Sequence, residues 1–175
     1  MSKTRRLTAL SLLTAASLCV FVLEAQIPPL IPAVPGVKLG LANVFTLFAI
    51  QVLGAPDALV LLLVRVTVGS FVTGQVAALG YSLCGGLASY AVLLLLRRQF
   101  PLKQLWALSV LCAVAHNLGQ LLLAAFVMGS SAVLWYLPVL ILAALLSGAF
   151  TGLACQLVLL RLRKSRLWKR EEKSE

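Results

Sequence analysis

Few side chains in this chain of 175 residues are equipped for chemistry, and they fall in three places. Arg65 stands inside the apolar run LLLVRVTVGS. His116, Asn117 and Gln120 stand together in AHNLGQLLLAA. Lys38 and Asn43 close a proline-rich stretch, PPLIPAVPGVKLGLAN, over residues 28–43. An arginine at the centre of a bilayer costs ~2.5–3.5 kcal/mol on insertion scales, so Arg65 should face the interior of a bundle and be paired there. Glu24 and Asp57 are read as helix-end residues, which leaves no acid at the depth of Arg65. Two readings therefore stand open for Arg65: it bonds carbonyls and amide side chains, or it awaits an anionic ligand. Positions 116, 117 and 120 cover one face of a helix at ~100° per residue, so they are expected to line a cavity with directional hydrogen-bond donors and acceptors. Metal binding is not indicated, because one histidine without an acid or thiolate at ligand spacing is too few. No carboxylate pair for acid–base work, nucleophile–histidine–acid set or phosphate-gripping glycine loop is visible, so no enzyme activity and no cofactor are expected.

The elements that must hold these residues are set by composition. Hydrophobic residues make up 61% of the chain and charged residues only 11%, against about a quarter charged in soluble domains. The expected fold is an all-α integral membrane protein, one compact bundle of six transmembrane helices spanning residues 1–175 with a Pro-rich helix 1–2 loop. Apolar length and breakers place the helices at roughly 7–24, 39–53, 57–72, 79–96, 104–128 and 136–162, followed by a basic tail over 163–175. Asp57 is a candidate cap for the third helix. Four prolines at 28, 29, 32 and 35 forbid a regular helix there. An irregular apolar segment at membrane depth must be buried in protein or line a cavity, so this loop is expected to act as a lid or wall of a pocket.

The net charge of +10 is concentrated at segment ends. With a cytoplasmic N-terminus, thirteen basic residues fall inside and Lys38 alone outside, which predicts a multi-pass cell-membrane protein with both termini cytoplasmic. Anionic membrane lipids, not nucleic acid, are the expected partners of the charge. Trp106 and Trp168 on the inner side and Trp135 and Tyr136 on the outer suit interfacial positions. The four cysteines lie inside apolar runs without CxxC spacing and read as buried small hydrophobes. Small residues mark helix contacts: Ser11, Ala15 and Cys19 on the first helix, Ser82, Gly85, Gly86 and Ser89 on the fourth, and Gly148 and Gly152 on the sixth. The first of these stripes serves either packing or docking of a partner subunit.

Three motifs, PGVKLGLAN, RVTVGSFVTG followed by YSLCGGLAS, and AHNLGQLLLAA, together resemble the bacterial Gx transporter family, also labelled heptaprenyl diphosphate synthase component I. The resemblance runs from the first helix to the sixth. More distantly the chain is similar to the substrate-binding S-components of energy-coupling factor (ECF) transporters, which capture vitamins or metabolites and use a T-component and two ATPases. The resemblance implies an S-component-like bundle with a site open to the outer face. It carries over Lys38, Leu39, Gly40 and Asn43; Arg65, Gly69 and Gly74; Ser82, Gly85, Gly86 and Ser89; and His116, Asn117, Gly119 and Gln120. S-components dock through AxxxA on the first helix, a pattern from which Ser11, Ala15 and Cys19 depart. Prenyl diphosphate synthases hold magnesium through DDxxD motifs, whereas this chain has a single aspartate, Asp57.

The main expectation is a transport or binding protein. It takes a small organic solute, vitamin-like or an isoprenoid or quinone precursor, from the outer face onto Lys38, Asn43, Arg65, His116, Asn117 and Gln120. An ECF-type energising module or another partner would drive it. The alternative is a non-catalytic membrane component associated with a heptaprenyl diphosphate synthase or with a membrane redox system.

Overall fold

The computed structural model describes residues 2–27, 38–76 and 78–164. Six α-helices account for most of them: α1 (Lys3–Glu24), α2 (Asn43–Val52), α3 (Ala55–Val72), α4 (Ala78–Leu96), α5 (Leu105–Met128) and α6 (Leu137–Lys164). Short 3-10 turns at Leu102–Gln104 and Ser131–Tyr136 lead into α5 and α6. Five of the helices are long and apolar enough to cross a membrane. The exception is α2, whose 10 residues rise only about 15 Å, half a bilayer core.

Local chemistry accounts for the boundaries. Ser2 caps α1, its hydroxyl accepting from Arg5 N–H. Gly54, at φ +101°, reverses the chain before α3, and Pro56 sits in that helix's first turn, where its missing N–H costs nothing. Gly129, in the left-handed region, stops α5. Asp57 does not cap α3. The N-cap is Gly54, and Asp57 instead accepts two hydrogen bonds from Arg6, from Nε at 2.6 Å and Nη2 at 2.8 Å. A forked guanidinium satisfies both carboxylate oxygens at once, which a single backbone N–H cannot do. This pair ties the start of α1 to the start of α3.

Burial is inverted relative to a soluble bundle. Large apolar side chains such as Phe126, Trp135, Leu146 and Phe150 are exposed on the surface. Glu24, Arg65, Ser82, His116, Asn117 and Gln120 are buried. That pattern belongs to a chain whose solvent is lipid, where polar groups must find partners inside. The apolar core is mainly α1–α4 packing, around Phe21, Leu47, Leu61, Leu62 and Val66. A smaller cluster of Leu121, Ala124, Val133 and Leu140 joins α5, α6 and the turn between them.

Close helix crossings hold α5 between α4 and α6. At Gly85 an added Cβ would stand 2.8 Å from the His116 carbonyl oxygen and 2.7 Å from Cγ of Gln120. At Gly152 it would stand 2.6 Å from Cα of Trp106. Without these glycines the backbones could not approach so closely, and the small-residue stripes on α4 and α6 have that role. The α4–α5 crossing also sets the height at which His116 and Gln120 meet the rest of the polar cluster.

Candidate functional site

The polar cluster is built where α1 ends and α2 begins. Gly40, at φ +77°, turns the chain into α2, and the space there is closed as well: a Cβ would lie 2.9 Å from both Asn43 Nδ2 and His116 Cδ2. Glycine alone meets both demands. The first N–H groups of a helix have no acceptor within it. Here the backbone N–H groups of Gly40, Leu41 and Ala42 turn toward the carboxylate of Glu24, which accepts from Gly40. Glu24 is 5% exposed and shares a cavity lining with Arg65. Expected merely to end α1, Glu24 is the buried counter-charge that the sequence reading lacked. Its carboxylate attracts both Arg65 and Lys38.

Arg65, 2% exposed, donates from Nη2 to Asn43 Oδ1 at 2.8 Å. The Asn43 amide then faces His116 Nδ1 with its Nδ2 at 3.1 Å. Because Oδ1 already accepts from arginine, Nδ2 must donate, so Nδ1 accepts and the histidine carries its proton on Nε2. Among the described residues that Nε2–H has no hydrogen-bond partner. Gln120 Oε1 accepts from the Lys38 backbone N–H at 3.3 Å. The Lys38 ammonium sits 3.9 Å from the centre of the Phe21 ring, a cation–π contact. Partial burial pushes the Lys38 amine below its ordinary pKa of 10.5, opposed by Glu24.

Five of the six expected site residues, Lys38, Asn43, Arg65, His116 and Gln120, therefore meet in one network. Asn117 does not. Lying ~100° round α5 from His116, it donates from Nδ2 to the Leu140 carbonyl on α6 at 2.8 Å, as interhelical glue. Ser11, Ala15 and Cys19 are away from the cluster, on the exposed face of α1. The expected lid falls mostly on residues 28–37, outside the described residues, as does the tail beyond Lys164.

Among the described residues the cavities at the cluster are small. The cavity among Glu24, Gly40, Asn43, Arg65, Ser82 and His116 measures about 10 Å³. A neighbouring one, which shares Gly40 and Asn43, measures about 20 Å³. Each has room for about one water. Neither of these two cavities, as it stands, takes an organic solute. An apolar groove of about 280 Å³ between α1, α2 and α6, lined by Leu13, Phe45, Phe48 and Val158 among others, has no polar group to orient a ligand. The polar cluster, unlike that groove, carries such groups. There the unpaired atoms on Lys38, Arg65 and Gln120 (Nζ, Nε and Nη1, and Nε2) are all hydrogen-bond donors. Among the described residues no group of three or more His, Cys, Asp or Glu side chains is placed to hold a metal.

Comparison with known proteins brings one match. No curated protein matches the chain, and no solved structure does. A family model described as heptaprenyl diphosphate synthase component I matches residues 13–158, from within α1 to the last turns of α6, and the chain belongs to that family.

Proposed function

We propose that this chain is a non-catalytic membrane subunit working with a heptaprenyl diphosphate synthase. The observation that carries this reading is the family match across nearly all of the bundle. The chain's only aspartate is consistent with it, since Asp57 is engaged by Arg6 and cannot anchor a magnesium–diphosphate complex. Both termini face the cytoplasm in this proposal, where the basic ends of α1 and α6 meet anionic lipid and a partner. Ser11, Ala15 and Cys19, exposed on α1, form the candidate docking face. The test is purification of the tagged chain from its own membrane in mild detergent. Co-purification of a prenyl synthase subunit, whose activity falls when this chain is deleted, is the expected result. Recovery of ATPase subunits in its place overturns it.

A second reading is favoured by the donor-rich cluster. The chain captures a small solute from the outer face, held by Lys38, Asn43, Arg65, His116 and Gln120, and a partner ATPase or ion gradient supplies the energy. Capture at the cluster then requires α1 and α2 to part, because the two cavities described there hold only water-sized contents. A thermal-shift screen of vitamins and isoprenoid and quinone precursors tests it. A solute that stabilises wild type but not Arg65→Ala supports the reading, and no stabilisation by any of them removes it.

A further inference from the structure

We propose that the α1–α2 junction is an anion cradle which the chain's own Glu24 carboxylate fills, and that a small ligand bearing a carboxylate or phosphate group takes Glu24's place when the site is loaded. The inference deepens the solute-binding reading and names the chemical class of the solute.

The cradle has a backbone part and a side-chain part. Gly40, Leu41 and Ala42 turn three successive N–H groups toward one carboxylate at the start of α2. Successive amides at a left-handed glycine and a helix N-terminus are the arrangement that recognises carboxylate and phosphate elsewhere. The independent observation is Arg65, 2% exposed and lining the same cavity. Among the described residues one of its three nitrogens has a hydrogen bond, while Nε and Nη1 have none. Among the described residues the Lys38 ammonium likewise has no hydrogen-bond acceptor. Two cations thus face one carboxylate, and every unfilled valence on them is a donor. A cluster meant only to neutralise Arg65 would need neither the second cation nor the amide cradle. Glu24 enters from the last residue of α1, so withdrawing it also frees the end of α1 from α2. Ligand binding and opening of the junction are then one event.

The experiment is chemical rescue. Glu24→Ala removes the tethered carboxylate and leaves its cradle. Unfolding in detergent is followed by tryptophan fluorescence with sodium formate, acetate or phosphate, against sodium chloride at equal ionic strength. At a hundredfold excess over its dissociation constant, a rescuing anion should raise the midpoint of Glu24→Ala by roughly 5–10 °C and that of wild type by less than half as much. Adding Arg65→Gln to Glu24→Ala should abolish the rise. Formate and acetate acting without phosphate assigns a carboxylate ligand, and phosphate acting alone assigns a phosphorylated one. Equal effects of all anions and chloride overturn the proposal, as does a rescue that survives Arg65→Gln. If Glu24→Ala does not accumulate, the near-isosteric Glu24→Gln is compared in the same way. A failed rescue leaves the synthase-subunit reading untouched, because that reading is judged by co-purification.

Discussion

Asn43 is the hinge of the buried network, and a double-mutant cycle with Arg65 measures how much depends on it. Its Oδ1 is the acceptor of the only hydrogen bond that Arg65 makes among the described residues, at 2.8 Å, and its Nδ2 faces His116 at 3.1 Å. Asn43→Ala removes both. A hydrogen bond to a charged group contributes about 1.5–3 kcal/mol and a neutral one about 1 kcal/mol. Interhelical bonds in membranes average only about 0.6 kcal/mol, because the unfolded chain in lipid finds other partners. Here the larger figure should prevail, since a buried guanidinium deprived of its acceptor keeps its full desolvation cost. Asn43→Ala is expected to lower stability by about 2–4 kcal/mol. Arg65→Met removes the charge that makes Asn43 costly to lose. The cycle should therefore return a coupling of at least about 1.5 kcal/mol, with the double mutant more stable than the sum of the singles predicts. The assay is reversible unfolding by SDS in mixed micelles. A coupling under about 0.5 kcal/mol, the level at which independent sites add, would refute the claim that Arg65 is held chiefly through Asn43.

Other outcomes follow from the same geometry. Gly85→Ala forces a methyl to within 2.8 Å of the His116 carbonyl, so it should cost about 1–3 kcal/mol and weaken any ligand response, read in the same unfolding assay. Asn117→Ala should cost under about 1.7 kcal/mol and leave the formate rescue of Glu24→Ala unchanged, since its bond runs to α6. Burial lowers the Lys38 pKa, so in the window below 10.5 the unfolded chain binds more protons at this residue than the folded one. Its contribution to stability should rise with pH across that window, and thermal midpoints of Lys38→Met should lack that rise. Arg6→Gln and Asp57→Asn should each loosen the start of α1 in hydrogen exchange, and the double mutant should add little to either, because the two side chains act as one bidentate pair.

Sequence alone determined the class of molecule and most of its elements. Apolar runs bounded by Gly, Pro and basic residues are local signals, and the six helices follow them, α2 as the shortest. Sequence also singled out the expensive polar residues, because any buried Arg65, His116 or Gln120 stands out in an apolar run. What it left open was who meets whom. Glu24 looked like an ordinary helix end, since burial at the α1–α2 junction depends on a chain reversal at Gly40 that sets the Gly40 N–H on its carboxylate and turns those of Leu41 and Ala42 toward it. Asn117 was grouped with His116 and Gln120 on one helix face, but 100° of helix turn sends its amide to α6 instead. Asp57 had local credentials as a cap, and a guanidinium 51 residues away outcompeted that role. How tightly the described side chains of the cluster pack was likewise not local. It follows from the Gly85 crossing and from the way the side chains satisfy one another, so only tertiary packing could decide it.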